Sequence, residues 1–163
     1  MRSAAAVIAL ASALVLGALS GLHVYWALGG RWGGAAAVPT RPGGPPTFAP
    51  SEAGTLAVAA ALAVAAYLVL VRGGLARPVG PGWLYAAGAW GLGLVFVARA
   101  VGDFRYVGLF KRVRGTPFAV RDDWLYVPLC AALGAAVLWL ALQRPGGTAS
   151  PPSDEATAHE VAK

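Results

Sequence analysis

The chain has 163 residues, of which 58% are hydrophobic and 12% charged, and a formal net charge of +6. Soluble domains carry about 25% charged residues, and a globule of this size could not hide so much apolar surface from water. A water-soluble domain is therefore excluded, and with a single cysteine, Cys130, so are an intramolecular disulfide and a C-x-x-C redox relay.

The apolar residues fall in four runs divided by Gly, Pro and charge. The first runs from about residue 4 to residue 28. A bilayer core of about 30 Å needs about 20 helical residues. This run is uncharged after Arg2 and ends in Tyr25 and Trp26, where an interfacial aromatic belt belongs. A cleaved signal peptide, with Ala18-Leu19-Ser20 as its cleavage site, is the rival reading, and the run is long for one. Residues 29–51 are dense in Gly and Pro and predict an irregular loop. The second span is expected over 52–71, with Ser51 and Glu52 suited to its N-terminus. A Gly/Pro turn leads to a third span over 83–101 that holds Arg99 in its last turn. A polar segment, 102–123, precedes a fourth span over 124–142. Residues 143–163 are rich in Pro, Ser, Thr and Glu and are expected to be disordered. The predicted fold class is thus all-α: an integral membrane bundle of four transmembrane helices in residues 1–142, followed by a polar tail.

Small residues recur every fourth position. Ala13, Gly17 and Gly21 do so on span one, and Ala89 and Gly93 on span three. In lipid, close backbone approach through such residues brings helices together. Packing within the bundle is the expected use; homo-oligomerisation stays open.

Four spans put both termini on one side. Loop 29–51 and segment 102–123 then share the other side, whichever compartment that is. Arg31, Arg41, Arg99, Arg105, Lys111, Arg112, Arg114 and Arg121 lie on this shared face, against Arg2, Arg72, Arg77, Arg144 and Lys163 opposite. The positive-inside rule then points the shared face to the cytoplasm. Basic loops beside apolar spans predict membrane lipids as partners. No nucleic-acid module is present. The excess of Arg over Lys, with abundant Ala and Gly, points to a GC-rich bacterial genome and hence a bacterial plasma membrane.

Arg99 and Asp103 are four residues apart, a spacing at which helical side chains meet. A charge inside a span pairs or snorkels, so the two are expected to pair. His23 is the only histidine in a span, and His159 lies in the tail. No histidine pair can hold a haem, and no His/Cys/Asp/Glu group has zinc spacing, so neither a cofactor nor a metal is expected. Lys111, Arg112 and Arg114 form a basic cluster expected to meet lipid headgroups. No phosphate-cradling or dinucleotide-binding glycine motif is present. The remaining candidates for a polar site are Tyr25, Trp26, Trp32, Arg105, Tyr106 and Tyr126, all at the same membrane face. We expect His23, Arg99 and Asp103 to converge there, with Trp32 folded over them.

Three strings carry a resemblance. They are His23-Val24-Tyr25-Trp26-Ala27-Leu28-Gly29-Gly30-Arg31-Trp32-Gly33 with Val38-Pro39-Thr40, then Arg99 through Arg112, then Thr116-Pro117-Phe118-Ala119, Asp122 and Tyr126-Val127-Pro128-Leu129-Cys130. In order and spacing, over roughly residues 10–142, they resemble a bacterial membrane family catalogued as domain of unknown function 3995. Asp123 and Val127 depart from the Thr and Ser that the family leads one to expect, which puts in doubt a role for hydroxyls at the start of span four. The resemblance implies a small four-span protein with its motifs on one face. It implies no activity. Two functions follow from the residues: a non-enzymatic protein that binds lipid or a partner through its polar face, or a membrane enzyme or carrier with a pocket of His23, Arg99 and Asp103.

Overall fold

Backbone polar groups inside a bilayer must be satisfied within the protein, and helices do this segment by segment. A computed structural model describes residues 2–143 and forms its long apolar runs into helices throughout. Helix α1 is Arg2–Ala27, α2 is Glu52–Arg72 and α3 is Gly82–Val101. A short α4, Pro117–Arg121, runs through a π-helical turn, Asp122–Tyr126, into α5, Val127–Leu142. Four stretches are long and apolar enough to cross a membrane, the last of them Pro117–Leu142. Among the described residues there is no strand, only an isolated bridge between Thr40 and Pro46. The tail expected to be disordered lies, beyond Gln143, outside the described residues.

The first three spans start and stop within two residues of their expected limits. The fourth begins seven residues earlier than expected, at Pro117 rather than Trp124. Thr116 caps it, its hydroxyl accepting from Ala119 N at 3.1 Å, and Pro117 at the first position costs no hydrogen bond. Further on, Pro128 offers no N–H to the carbonyl of Trp124, and its ring would crowd that carbonyl. The preceding turn widens, and Val127 N bonds back to Asp122 O.

The bundle is two antiparallel pairs, α1 with α2 and α3 with α5, joined around a shared core of Ala9, Leu16, Val69, Ala89, Leu133, Val137 and Leu140. Ser20 Oγ donates to Ala59 O at 2.8 Å across the first pair. In the second pair a side chain at Gly134 would press on Val97 N and Gly93 O, so glycine sets the helix separation there. Gly93 thus plays its expected packing role. Gly17 and Gly21 do not: both face away from the bundle, with nothing against them. At the ends of α2 and α5, Arg72 Nη2 donates to the carbonyls of Leu140, Ala141 and Gln143 at 2.8, 3.1 and 2.5 Å. A cation there satisfies carbonyls that α5 leaves open and opposes its dipole.

At the other end of the bundle, Tyr126 donates from its hydroxyl to Ala36 O at 3.1 Å, and α4 packs on the 3₁₀ turn Gly34–Ala36. Loop 28–51 and segment 102–123 therefore meet on one face, here called the motif face. This geometry predicts accessibility. Single cysteines at Arg41, Val79 and Arg112, in a Cys130→Ala background, should divide two against one with a membrane-impermeant thiol reagent in intact cells. Positions 41 and 112 should label alike and position 79 oppositely. Different labelling of 41 and 112 would contradict the four-span arrangement.

Candidate functional site

Helix α3 ends where Gly102 takes φ 93, a value that favours glycine. The chain then folds into a tight loop that returns to the end of the helix. Leu109 N donates to Ala100 O at 2.8 Å, and Gly102 and Gly108 cross so closely that a Cβ on either would strike the other strand of the loop. Inside the loop Asp103 Oδ1 accepts from the backbone N–H groups of Arg105, Tyr106 and Val107 at 2.9, 2.7 and 2.9 Å. Partial burial opposes ionisation of this carboxyl, but the N–H donors outweigh it and hold it below the ordinary carboxylate range. Phe104 sits at φ 61, an uncommon conformation for a bulky residue, and its ring stacks on Phe110 at 6.2 Å. The Arg105 guanidinium lies over the Tyr106 ring, 5.2 Å from its centre.

The loop closes over Asp122, which is completely buried. One carboxylate oxygen accepts from Arg99 Nη2 at 2.8 Å. The other accepts from Gly108 N at 2.8 Å and from Lys111 Nζ at 3.0 Å. Lys111 Nζ donates also to Gly108 O at 3.2 Å and to Asp123 Oδ1, and Arg114 Nη1 reaches Asp123 Oδ2 at 3.4 Å. Five side chains thus alternate in sign: Arg99, Asp122, Lys111, Asp123, Arg114. Their arrangement knits the end of α3, the loop and the start of the fourth span. Removing one member of a buried ion pair costs about 3–5 kcal/mol, because the other charge is left unpaired.

The aromatic end of α1 makes a separate station. Tyr25 OH accepts from Trp32 N at 3.3 Å, and Trp26 Nε1 donates to Trp32 O at 2.8 Å, so both polar groups of the Trp32 backbone are held. Trp32 as a residue is nonetheless 76% exposed. His23 Nδ1 bonds Leu19 O at 2.8 Å in its own helix, and its ring meets Trp26 edge to face. His23 and Trp26 line a cavity of about 650 Å³ bounded by loop residues such as Val38 and Phe48 and by Ser51 and Val58 of the α2 start.

Several expectations are corrected by this geometry. Arg99 does not pair with Asp103, because α3 ends before Asp103 and its carboxylate is taken up by backbone donors. Arg99 pairs instead with Asp122, 23 residues away. Lys111 is not a headgroup contact, since its ammonium is fully buried between two carboxylates. His23 does not join Arg99 and Asp103: it bonds its own helix and lines a cavity that neither of them borders. Trp32 is pinned by its backbone and does not fold over the others. Arg112 and Arg114 stay exposed, as do Arg105 and Tyr25, while Tyr106 and Tyr126 are half-buried. Asp122 and Asp123 were not among the candidates. Asp122 stands in the third motif, and its position next to a span was the one available sign of its role.

The helices, their pairing and the charged cluster at one end define a small four-span membrane bundle whose salt bridges, among the described residues, lie on a single face. Residues 16–137 match the family described as "Protein of unknown function (DUF3995)", and the chain belongs to that family. Neither the curated proteins nor the solved structures include a match to this chain.

The network generates a double-mutant test. Asp122→Ala should lower stability in detergent by about 3 kcal/mol, the cost of leaving its cations unpaired. Arg99→Ala with Asp122→Ala should be less than additive by about 0.5–3 kcal/mol. Arg99→Ala with Asp103→Ala should add. Coupling in the second pair without coupling in the first would contradict the assignment.

Proposed function

We propose that the protein is a non-enzymatic membrane protein that binds anionic lipid headgroups through its motif face. The observation that carries this reading is how the acids of that face are used. The face holds eight basic residues against four acidic ones, Glu52, Asp103, Asp122 and Asp123. Three of the four acids are engaged internally, Asp103 by backbone N–H groups and Asp122 and Asp123 by Arg99, Lys111 and Arg114. Arg31, Arg41, Arg105, Arg112 and Arg121 are left exposed, with no carboxylate in salt-bridge range among the described residues. Phe104, Leu109, Phe110 and Trp124 are exposed beside them. Aromatic and long apolar side chains next to arginine suit the boundary between headgroups and acyl chains.

On this reading the arginine-rich face is cytoplasmic, and the membrane is a bacterial plasma membrane. An enzyme or carrier built on a pocket of His23, Arg99 and Asp103 finds no support, since His23 stands apart from the loop assembly that holds Arg99 and Asp103.

The test is lipid retention. Protein extracted from a mixture of phosphatidylglycerol and phosphatidylethanolamine should keep the anionic lipid preferentially in native mass spectrometry. Each basic residue near an anionic surface contributes about 1 kcal/mol, so Arg105→Gln, Arg112→Gln and Arg121→Gln together should cut the preference by about tenfold or more. Equal retention of both lipids, or an unchanged preference in the triple variant, would contradict the reading.

A further inference from the structure

The cavity beside His23 is used by none of the contacts above. It lies between the last turns of α1, the loop and the first turns of α2, and its volume of about 650 Å³ is typical of small-molecule sites, which run about 300–1,000 Å³. Trp26, Val38, Phe48 and Val58 give it apolar and aromatic walls, and among the described residues no Arg, Lys, Asp or Glu lines it. This is notable on a face with eight basic residues, because a site for an anionic headgroup would draw on one of them. One helical turn deeper, the Ser20–Ala59 hydrogen bond joins α1 and α2. The cavity thus sits at the ends of two candidate membrane spans, beside the exposed apolar side chain of Val58.

Its polar groups are few and their roles are fixed. The carbonyl of Leu19 can only accept, so His23 Nδ1 carries a proton. In the neutral ring Nε2 is then a bare acceptor, and among the described residues it has no partner. Ser51 Oγ accepts from Gly54 N at 3.1 Å, which leaves its own O–H proton to donate. Thr55 Oγ1, also in the lining, donates to Ser51 O at 2.9 Å and can then only accept. A cavity that offers acceptors at His23 and Thr55 and a donor at Ser51, between aromatic walls, is complementary to a hydroxyl, which both donates and accepts. We propose that this cavity binds the head of a neutral, hydroxyl-bearing membrane amphiphile, with the hydroxyl donating to His23 Nε2 and the apolar part against Trp26 and Phe48. The site is independent of the arginines that carry the headgroup reading.

Histidine nitrogen NMR reads this directly, because His159 is the only other histidine in the sequence. The protein, ¹⁵N-labelled at histidine and carrying His159→Ala, is reconstituted in nanodiscs at about pH 8. It is titrated with 1-oleoylglycerol, with methyl oleate, which has the same chain and no donor, and with oleate. The ring should begin as the Nδ1–H tautomer. 1-Oleoylglycerol should shift the Nε2 resonance saturably, with half-saturation at least tenfold below that of the other two. Ala37→Trp and Val58→Trp, which fill the cavity from the loop and from α2, should each abolish the shift. The arginine triple variant should leave it intact, which separates this site from the headgroup surface. An equal response to methyl oleate, a stronger one to oleate, no saturable shift, or the opposite tautomer would overturn the proposal. The comparison of the three lipids decides it even where a cavity-filling variant does not fold.

Discussion

A carboxylate with no exposure to solvent, at the mouth of a membrane span, must be neutralised where it stands. Asp122 meets that demand with Arg99 from the preceding span, Lys111 from the connecting loop and the backbone N–H of Gly108. The loop can supply the last two only if it folds back over the helix end. Gly102 and Gly108 permit that crossing, and Asp103 clasps the turn through three backbone donors. The widened turn Asp122–Tyr126 belongs to the same assembly, since it carries Asp122 itself and joins α4 to α5. Tyr126, at the end of that turn, then bonds the first loop at Ala36. The motif face is thus a chain of dependencies that begins at one buried charge.

The same constraint separates two kinds of surface. Because three of the four acids are engaged internally, the outer arginines have no carboxylate partner among the described residues, and the loop's aromatic residues stay outside the network. The cavity beside His23 lies on the other helix pair, walled by uncharged residues. A basic rim and an uncharged cavity on one membrane face suit different chemistries. Burial of Lys111 makes the division sharper, because a lysine on a flexible loop would otherwise add to the rim.

The spans were legible because their signals are local. Apolar runs of helical length, Ser51 before span two and the Gly/Pro turns set the first three helices to within two residues. The fourth was misread at its start because Arg121, Asp122 and Asp123 look like a loop when taken alone. Asp122 is neutralised there by partners 11 and 23 residues away, and no local pattern announces such pairing. The Arg99–Asp103 spacing misled for the complementary reason: four residues apart means adjacent only while the helix continues, and Gly102 ends it. Small residues showed the same limit. Gly93 and Gly17 look alike in sequence, yet one faces α5 and the other faces away from the bundle. Which stripe is buried depends on helix pairing rather than on spacing.

The buried state of Lys111 is the point on which the whole arrangement turns, and it can be measured in lipid. The sequence has two lysines, so Lys163→Arg leaves Lys111 as the only lysine signal. Solid-state NMR on protein labelled with ¹⁵N at lysine and ¹³C at the aspartate carboxyls then reads the dipolar coupling of the Lys111 ammonium. A rigid ammonium in hydrogen-bonding range of an aspartate carboxyl is expected, with the coupling kept in Asp123→Asn through Asp122, whose oxygen lies 3.0 Å away. A mobile, uncoupled ammonium, as for a lysine lying among headgroups, would contradict the account.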